Sequence, residues 1–207
     1  MSAPNREPLF LLAITGIALA WSAINPHDYL TWLLETAPVF IGVAIIIPTR
    51  NAFPLSPLLF RLLVVHAIIL IIGAHYTYAL VPPGFWFQDL FDLSRNHYDR
   101  LGHLAQGFVP AILVRELLIR RSPLPRGKWM FTLTTSVCLA FSAFYEMIEW
   151  WTALLGGHAS ESFLGTQGDI WDTQWDMFLA LIGAVAAQLM LAKTHDRSIT
   201  KVTGQTS

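Results

Sequence analysis

Hydrophobic positions in this chain run in long blocks rather than in the two-residue alternation of a half-buried strand. The blocks have the length a helix needs to cross a bilayer, about 20 residues. Six of them lie near residues 8–24, 29–47, 58–80, 99–120, 129–155 and 172–192. Turn formers separate them: Asn25-Pro26-His27-Asp28, Pro48 to Pro57, Val81 to Tyr98, Arg121 to Lys128 and Gly156 to Trp171. The pattern predicts an all-α polytopic membrane protein, a bundle of six transmembrane helices with short loops. It forms a single domain over residues 1–192, followed by a short cytoplasmic tail, 193–207. Ala18-Leu19-Ala20 has the look of a cleavage motif, but the flank carries one Arg and one Glu rather than a basic run, so the first block is read as a retained helix.

Composition points the same way. Of 207 residues 54% are hydrophobic and 13% charged, with a mean hydropathy of +0.50. Soluble domains carry about 25% charged residues, so a soluble enzyme is excluded and the lipid bilayer is the expected partner. A net charge of -1 offers no surplus for a polyanion, which removes nucleic acid from the candidate partners. Cys138 stands alone, so any metal must be held by His and carboxylates.

Basic residues set the expected orientation. Nine fall in the N-terminal segment, the second and fourth loops and the tail: Arg6, Arg50, Arg120, Arg121, Arg126, Lys128, Lys193, Arg197 and Lys201. The first, third and fifth loops hold only Arg95, so both termini are expected in the cytoplasm of a bacterial inner membrane. Of the fourteen acids only Glu7, Glu116 and Asp196 then fall toward the inner side.

Ionisable groups inside a span are costly and tend to face a protein interior, so their spacing is informative. Asp99 and His103 are four apart, with Gln106 three later on the same helix face. Ser142, Glu146 and Glu149 follow spacings of four and three; Asp172 and Asp176 are four apart, with Asp169 just before them. Antiparallel neighbours bring these faces to one depth near the outer side. Adjacent carboxylates in low dielectric repel, so they share protons, pair with a base or bind a cation. Asp99, His103, Glu146, Glu149, Asp169, Asp172 and Asp176 form a candidate shell for a divalent metal ion, zinc, manganese, magnesium or iron by ligand type, with His103, Glu146 and Glu149 as candidate catalytic groups. The plainer alternatives are a helix cap at Asp99 or Asp172, and an ion-pair network closed by Arg100. His66 reads as a hydrogen-bonded packing residue, and Arg115 with Glu116 as an anchor for the inner end of the fourth span. Phe85-Trp86-Phe87, Trp150-Trp151, Trp171 and Trp175 fit an interfacial aromatic belt.

The run from Ser94 to His103, with Gln106-Gly107-Phe108, Tyr145-Glu146-Met147-Ile148-Glu149-Trp150 and Gly168-Asp169 through Asp176, resembles the YjdF family of bacterial inner-membrane proteins. The resemblance covers most of the chain and implies a multi-pass membrane protein; it assigns no reaction and no site residues. More remotely, the last three spans are similar to VanZ-like proteins, associated with glycopeptide-antibiotic resistance. The shared elements are Asp99-Arg100-x-x-His103, the Glu after Tyr145, and Asp176 seven residues before Gly183, although Arg100 and Ala180 stand where VanZ-like chains more usually have Lys and Asn.

Three functions follow as expectations. The first is a metal-dependent membrane hydrolase or transferase acting on a lipid or lipid-linked substrate. The second is a small proton- or cation-coupled transporter using the same acids as a relay. The third is a non-catalytic accessory subunit. The oligomeric state is left open by the sequence.

Overall fold

The chain is all-helical in a computed structural model, which describes residues 6–156 and 161–204. The expected loop residue His158, the Glu161 side chain and the last three residues of the tail lie outside that description. The long helices are α1 (Glu7–Ser22), α2 (Tyr29–Thr49), α3 (Pro57–Tyr76), α5 (Tyr98–Arg121), α6 (Lys128–Gly156) and α8 (Asp172–Thr203). Two short ones, α4 (Pro82–Phe91) and α7 (Glu161–Leu164), lie in the connections. Among the described residues five helices are long and apolar enough to span a membrane; α1, with 16 residues, is shorter. Large apolar side chains such as Leu9, Phe10, Ile41, Leu189 and Met190 are exposed. In water such a surface would drive aggregation, whereas in hydrocarbon it matches its solvent. The chain is a polytopic membrane bundle.

Local chemistry explains the boundaries. Asp28 caps α2 by accepting from the Thr31 N–H at 2.7 Å, which holds its carboxyl below the usual carboxylate range. Ser56 and Pro57 start α3. The expected third span, 58–80, ends earlier, at Tyr76, because Thr77 takes φ +60° and a 3-10 turn, Tyr78–Leu80, follows. Pro82 and Pro83 then open α4, where only a loop was expected. Trp86, Phe87, Leu90 and Phe91 are exposed on it, as an interfacial helix requires. At the other end of the chain α8 runs unbroken past residue 192 to Thr203, burying His195, Ser198 and Ile199.

The bundle is organised around α5, which packs on α3, α6 and α8, while α1 and α2 lie against α3. The tightest seam is between α5 and α8. A Cβ on Gly107 would stand 1.8 Å from the Ala180 carbonyl oxygen, and one on Gly183 would stand 2.2 Å from the Leu104 carbonyl oxygen. Only glycine permits this approach, the small-residue packing by which membrane helices associate without a hydrophobic driving force. Below the seam Leu59, Ala111, Ile112, Cys138, Ala184 and Ala187 form an apolar core.

Candidate metal centre

The α5–α8 seam fixes the register of two polar faces. Asp99 and His103 are one turn apart near the start of α5, and Asp172 and Asp176 one turn apart at the start of α8. Late in α6, Glu146 and Glu149 face the same space. His103 is the hub: its Nε2 lies 3.4 Å from Asp99 Oδ1 and 3.9 Å from Asp176 Oδ2, and its Nδ1 lies 3.8 Å from Glu146 Oε1. Two triads result, Asp99–His103–Asp176 and His103–Glu146–Glu149, each with one ligand atom per residue mutually within 4.8 Å. Metal–ligand bonds of about 2.0–2.2 Å in a tetrahedral site leave roughly 3.3–3.6 Å between donors, so small rotations suffice to close either triad on an ion.

The centre is buried yet incompletely bonded. His103, Glu146 and Asp176 are each less than a tenth exposed. His103 Nδ1, Glu146 Oε1 and Asp176 Oδ1 have no hydrogen-bond partner, and neither do Gln106 Oε1 and Ser142 Oγ beside them in sequence. A buried polar atom without a partner costs roughly 1–3 kcal/mol, so several at one centre call for a physical explanation, of which a bound water or ion is one.

Not every expected ligand joins the triads. Asp172 is held by Arg95, and Asp169 by Arg100 at 2.8 Å and Arg95 at 3.4 Å, so both carboxylates are engaged by guanidinium groups outside the two groups of metal-ligand geometry. Arg100 was expected to compete for the acid cluster, and it does pair with one of its carboxylates, Asp169; its guanidinium lies 5.1 Å from the Trp175 ring centroid. The Trp171 N–H donates to Asp169 Oδ1 at 3.0 Å, and this bond, helped by the two arginines, holds the Asp169 carboxyl below the usual range.

Other polar residues escaped the sequence reading. Glu35, buried in the first third of α2, accepts from the Tyr145 hydroxyl at 3.1 Å and so ties α2 to the acid-bearing face of α6. A lone acid within an apolar block was the available signal. His66, expected as a hydrogen-bonded packing residue, has an Nε2 that is buried without a hydrogen-bond partner. Tyr78 packs under Gly73 and Gly102, whose missing side chains leave room for its ring.

With this geometry in view, the comparisons with known proteins can be placed. Residues 7–197 match the family model described as "Predicted membrane protein (DUF2238)". The chain belongs to this family. It is 49% identical over 197 residues to "Inner membrane protein YjdF" of Escherichia coli (strain K12), covering 93% of this chain and 94% of that relative. The expected family resemblance therefore holds, and the matched range includes every residue of both triads. No solved structure matches the chain.

Proposed function

We propose that this family member is an inner-membrane metalloenzyme, a hydrolase or transferase whose divalent ion is held by Asp99, His103 and Asp176 and whose substrate is a lipid or lipid-linked molecule. The observation that carries the reading is the convergence of three ligand atoms from two helices around His103 Nε2, next to buried oxygen atoms that nothing else satisfies. Three protein ligands leave a coordination position open, the pattern of catalytic rather than structural sites. A bound divalent ion there would supply Lewis acidity and a water acidified toward neutral pH.

The chain's own groups fill the remaining roles. Glu146, facing His103 Nδ1, orients the imidazole as carboxylates behind metal-bound histidines do. Glu149, in the same triad and less buried, is placed to take a proton from the attacking water and return it to the leaving group. Inner-membrane placement follows the printed name of the relative, and the distribution of basic residues supports a site at the outer leaflet, reached laterally by a lipid. The apolar core formed by Leu59, Ile112 and Ala184 supports catalysis at one face over a carrier, which needs a polar path through the bundle.

Turnover tests this directly. Purified protein reconstituted with a bacterial lipid extract should release or transfer a head group, lose that activity on chelation and regain it on metal readdition. Glu149→Gln should keep the metal and lose turnover by roughly a hundredfold or more, as expected for removal of a general base. Turnover indifferent to chelation would refute the proposal.

A further inference from the structure

The two arginines that draw Asp169 and Asp172 away from the triads build a pocket of their own. A cleft of about 360 Å³, within the roughly 300–1,000 Å³ typical of small-ligand sites, is lined by Arg95, His97, Arg100, Gln167 and Asp169. Its walls are fixed. Gln167 and Asn96 bond reciprocally, the Asn96 N–H to Gln167 Oε1 at 3.1 Å and Gln167 Nε2 to the Asn96 carbonyl at 2.8 Å. Asn96 is itself fully buried and anchored to the Val81 carbonyl.

Inside this frame the cationic groups have donors to spare. Arg95 is 93% buried by side chain, since only 7% is exposed; its Nη atoms reach Asp172, Asp169 and the Gly165 carbonyl, while its Nε has no partner. Arg100 Nε and His97 Nδ1 are also buried without one. Asp169 Oδ2 is shared by both guanidinium groups, at 2.8 and 3.4 Å, in the position an oxygen of a bound anion would take.

The geometry points to a phosphate-binding pocket at the mouth of the acid–histidine centre, in which Arg95, Arg100 and His97 take the phosphate of the substrate and Asp169 holds the place between substrates. Planar guanidinium groups suit tetrahedral oxyanions, and two lining one cleft bind phosphate better than a single lysine would. Asp172 joins the two sites: it pairs with Arg95 and lies one helical turn, about 6 Å of rise, before Asp176. A phosphate held in the pocket would therefore lie close to the turn of α8 that carries Asp176. Its role as substrate rests on the metalloenzyme reading above; the anion site itself does not.

Calorimetry on the purified full chain in a nonionic detergent tests both parts, with inorganic phosphate and a short-chain phosphatidic acid as probes and the matching diacylglycerol as control. Phosphatidic acid alone binding identifies a lipid head group as the source, and inorganic phosphate binding equally well identifies a free phosphate; either supports the pocket. Arg100→Gln, chosen because Arg100 is partly exposed, should weaken binding roughly tenfold or more. Asp169→Asn should strengthen it severalfold by removing the competing carboxylate. His103→Ala should leave it unchanged while losing the metal. If neither probe binds, if Arg100→Gln has no effect, if Asp169→Asn weakens binding, or if His103→Ala weakens it as much as Arg100→Gln, the pocket assignment is wrong. Phosphate binding with the expected variant effects in a wild type that holds no metal would sink the metalloenzyme reading and leave the pocket standing.

Discussion

Two buried polar clusters occupy opposite ends of α5, and they are built on different terms. At the end where α5 finishes, Glu116 and His195 are fully buried and joined at 2.9 Å. Glu116 also accepts from the Ser56 N–H at 2.9 Å and from Arg120 at 2.8 Å; Arg115 donates to His195 Nδ1 at 3.0 Å and pairs with Asp196 at 2.8 Å. None of these side chains has a buried atom without a partner. Arg115 and Arg120, with Arg126 also reaching Asp196 at 3.3 Å, balance two acids, and His195 bridges Arg115 and Glu116. At the end where α5 begins, one histidine faces three or four carboxylates, no arginine enters either triad, and three of the atoms in them are unpartnered. Inside a membrane protein a closed network locks helices together, whereas an open one carries a cost that the proposed ligand would offset.

The sharpest way to break this contrast is to remove one acid from each end. Glu116→Leu should cost about 3–5 kcal/mol, because it strands Arg120, the Ser56 N–H and His195 without their acceptor. Glu146→Gln should change stability by about 1 kcal/mol or less in chelator, because Gln keeps the side chain's shape and Glu146 Oε1 has no hydrogen-bond partner to lose. Unfolding in mixed detergent micelles measures both, and equal costs would erase the distinction.

A second, smaller effect sharpens the link between packing and chemistry. Gly183→Val forces a side chain against the Leu104 carbonyl and should destabilise by about 1–3 kcal/mol. By spreading α5 from α8 it should also weaken metal binding with every ligand intact, since Asp99 and His103 stand on one helix and Asp176 on the other. Metal affinity unchanged beside lowered stability would separate the seam from the site.

The smallest effect lies at the rim. Asp169 has a lowered carboxyl pKa in the folded protein, from the Trp171 N–H bond and then Arg95 and Arg100. Its stabilising contribution is thus present above the unfolded value of about 3.9 and is lost as pH falls through the lower folded value. Wild type should melt above Asp169→Asn at pH 6, and the gap should close below about pH 4; a gap constant across that range would assign Asp169 no ionised role.

How much of this was legible from the chain differs by level. The long apolar blocks fixed the helices because in a bilayer the backbone has few alternatives, and i, i+4 spacing was enough to put Asp99 with His103 and Asp172 with Asp176. The convergence of three helices on His103 followed from depth alone. Spacing could not reveal which acids arginines would claim: Arg95 stands in a loop, and its reach to Asp172 depends on the Asn96–Gln167 clasp between two connections far apart in sequence. Nor could it reveal His195, which lies beyond the apolar block in a segment read as a tail, and which is buried only because α8 continues at the same period. Glu35 was visible as an acid in an apolar run, but its contact with Tyr145 required the packing of α2.

The central claim is that one cluster is open for a metal and the other closed. Elemental analysis of purified wild type, His103→Ala and His195→Gln, each taken from the folded, monodisperse fraction, tests it most directly. The account predicts about one divalent ion per chain in wild type and in His195→Gln, and little or none in His103→Ala. A metal-free wild type, or a metal content that survives His103→Ala and falls with His195→Gln, would contradict it.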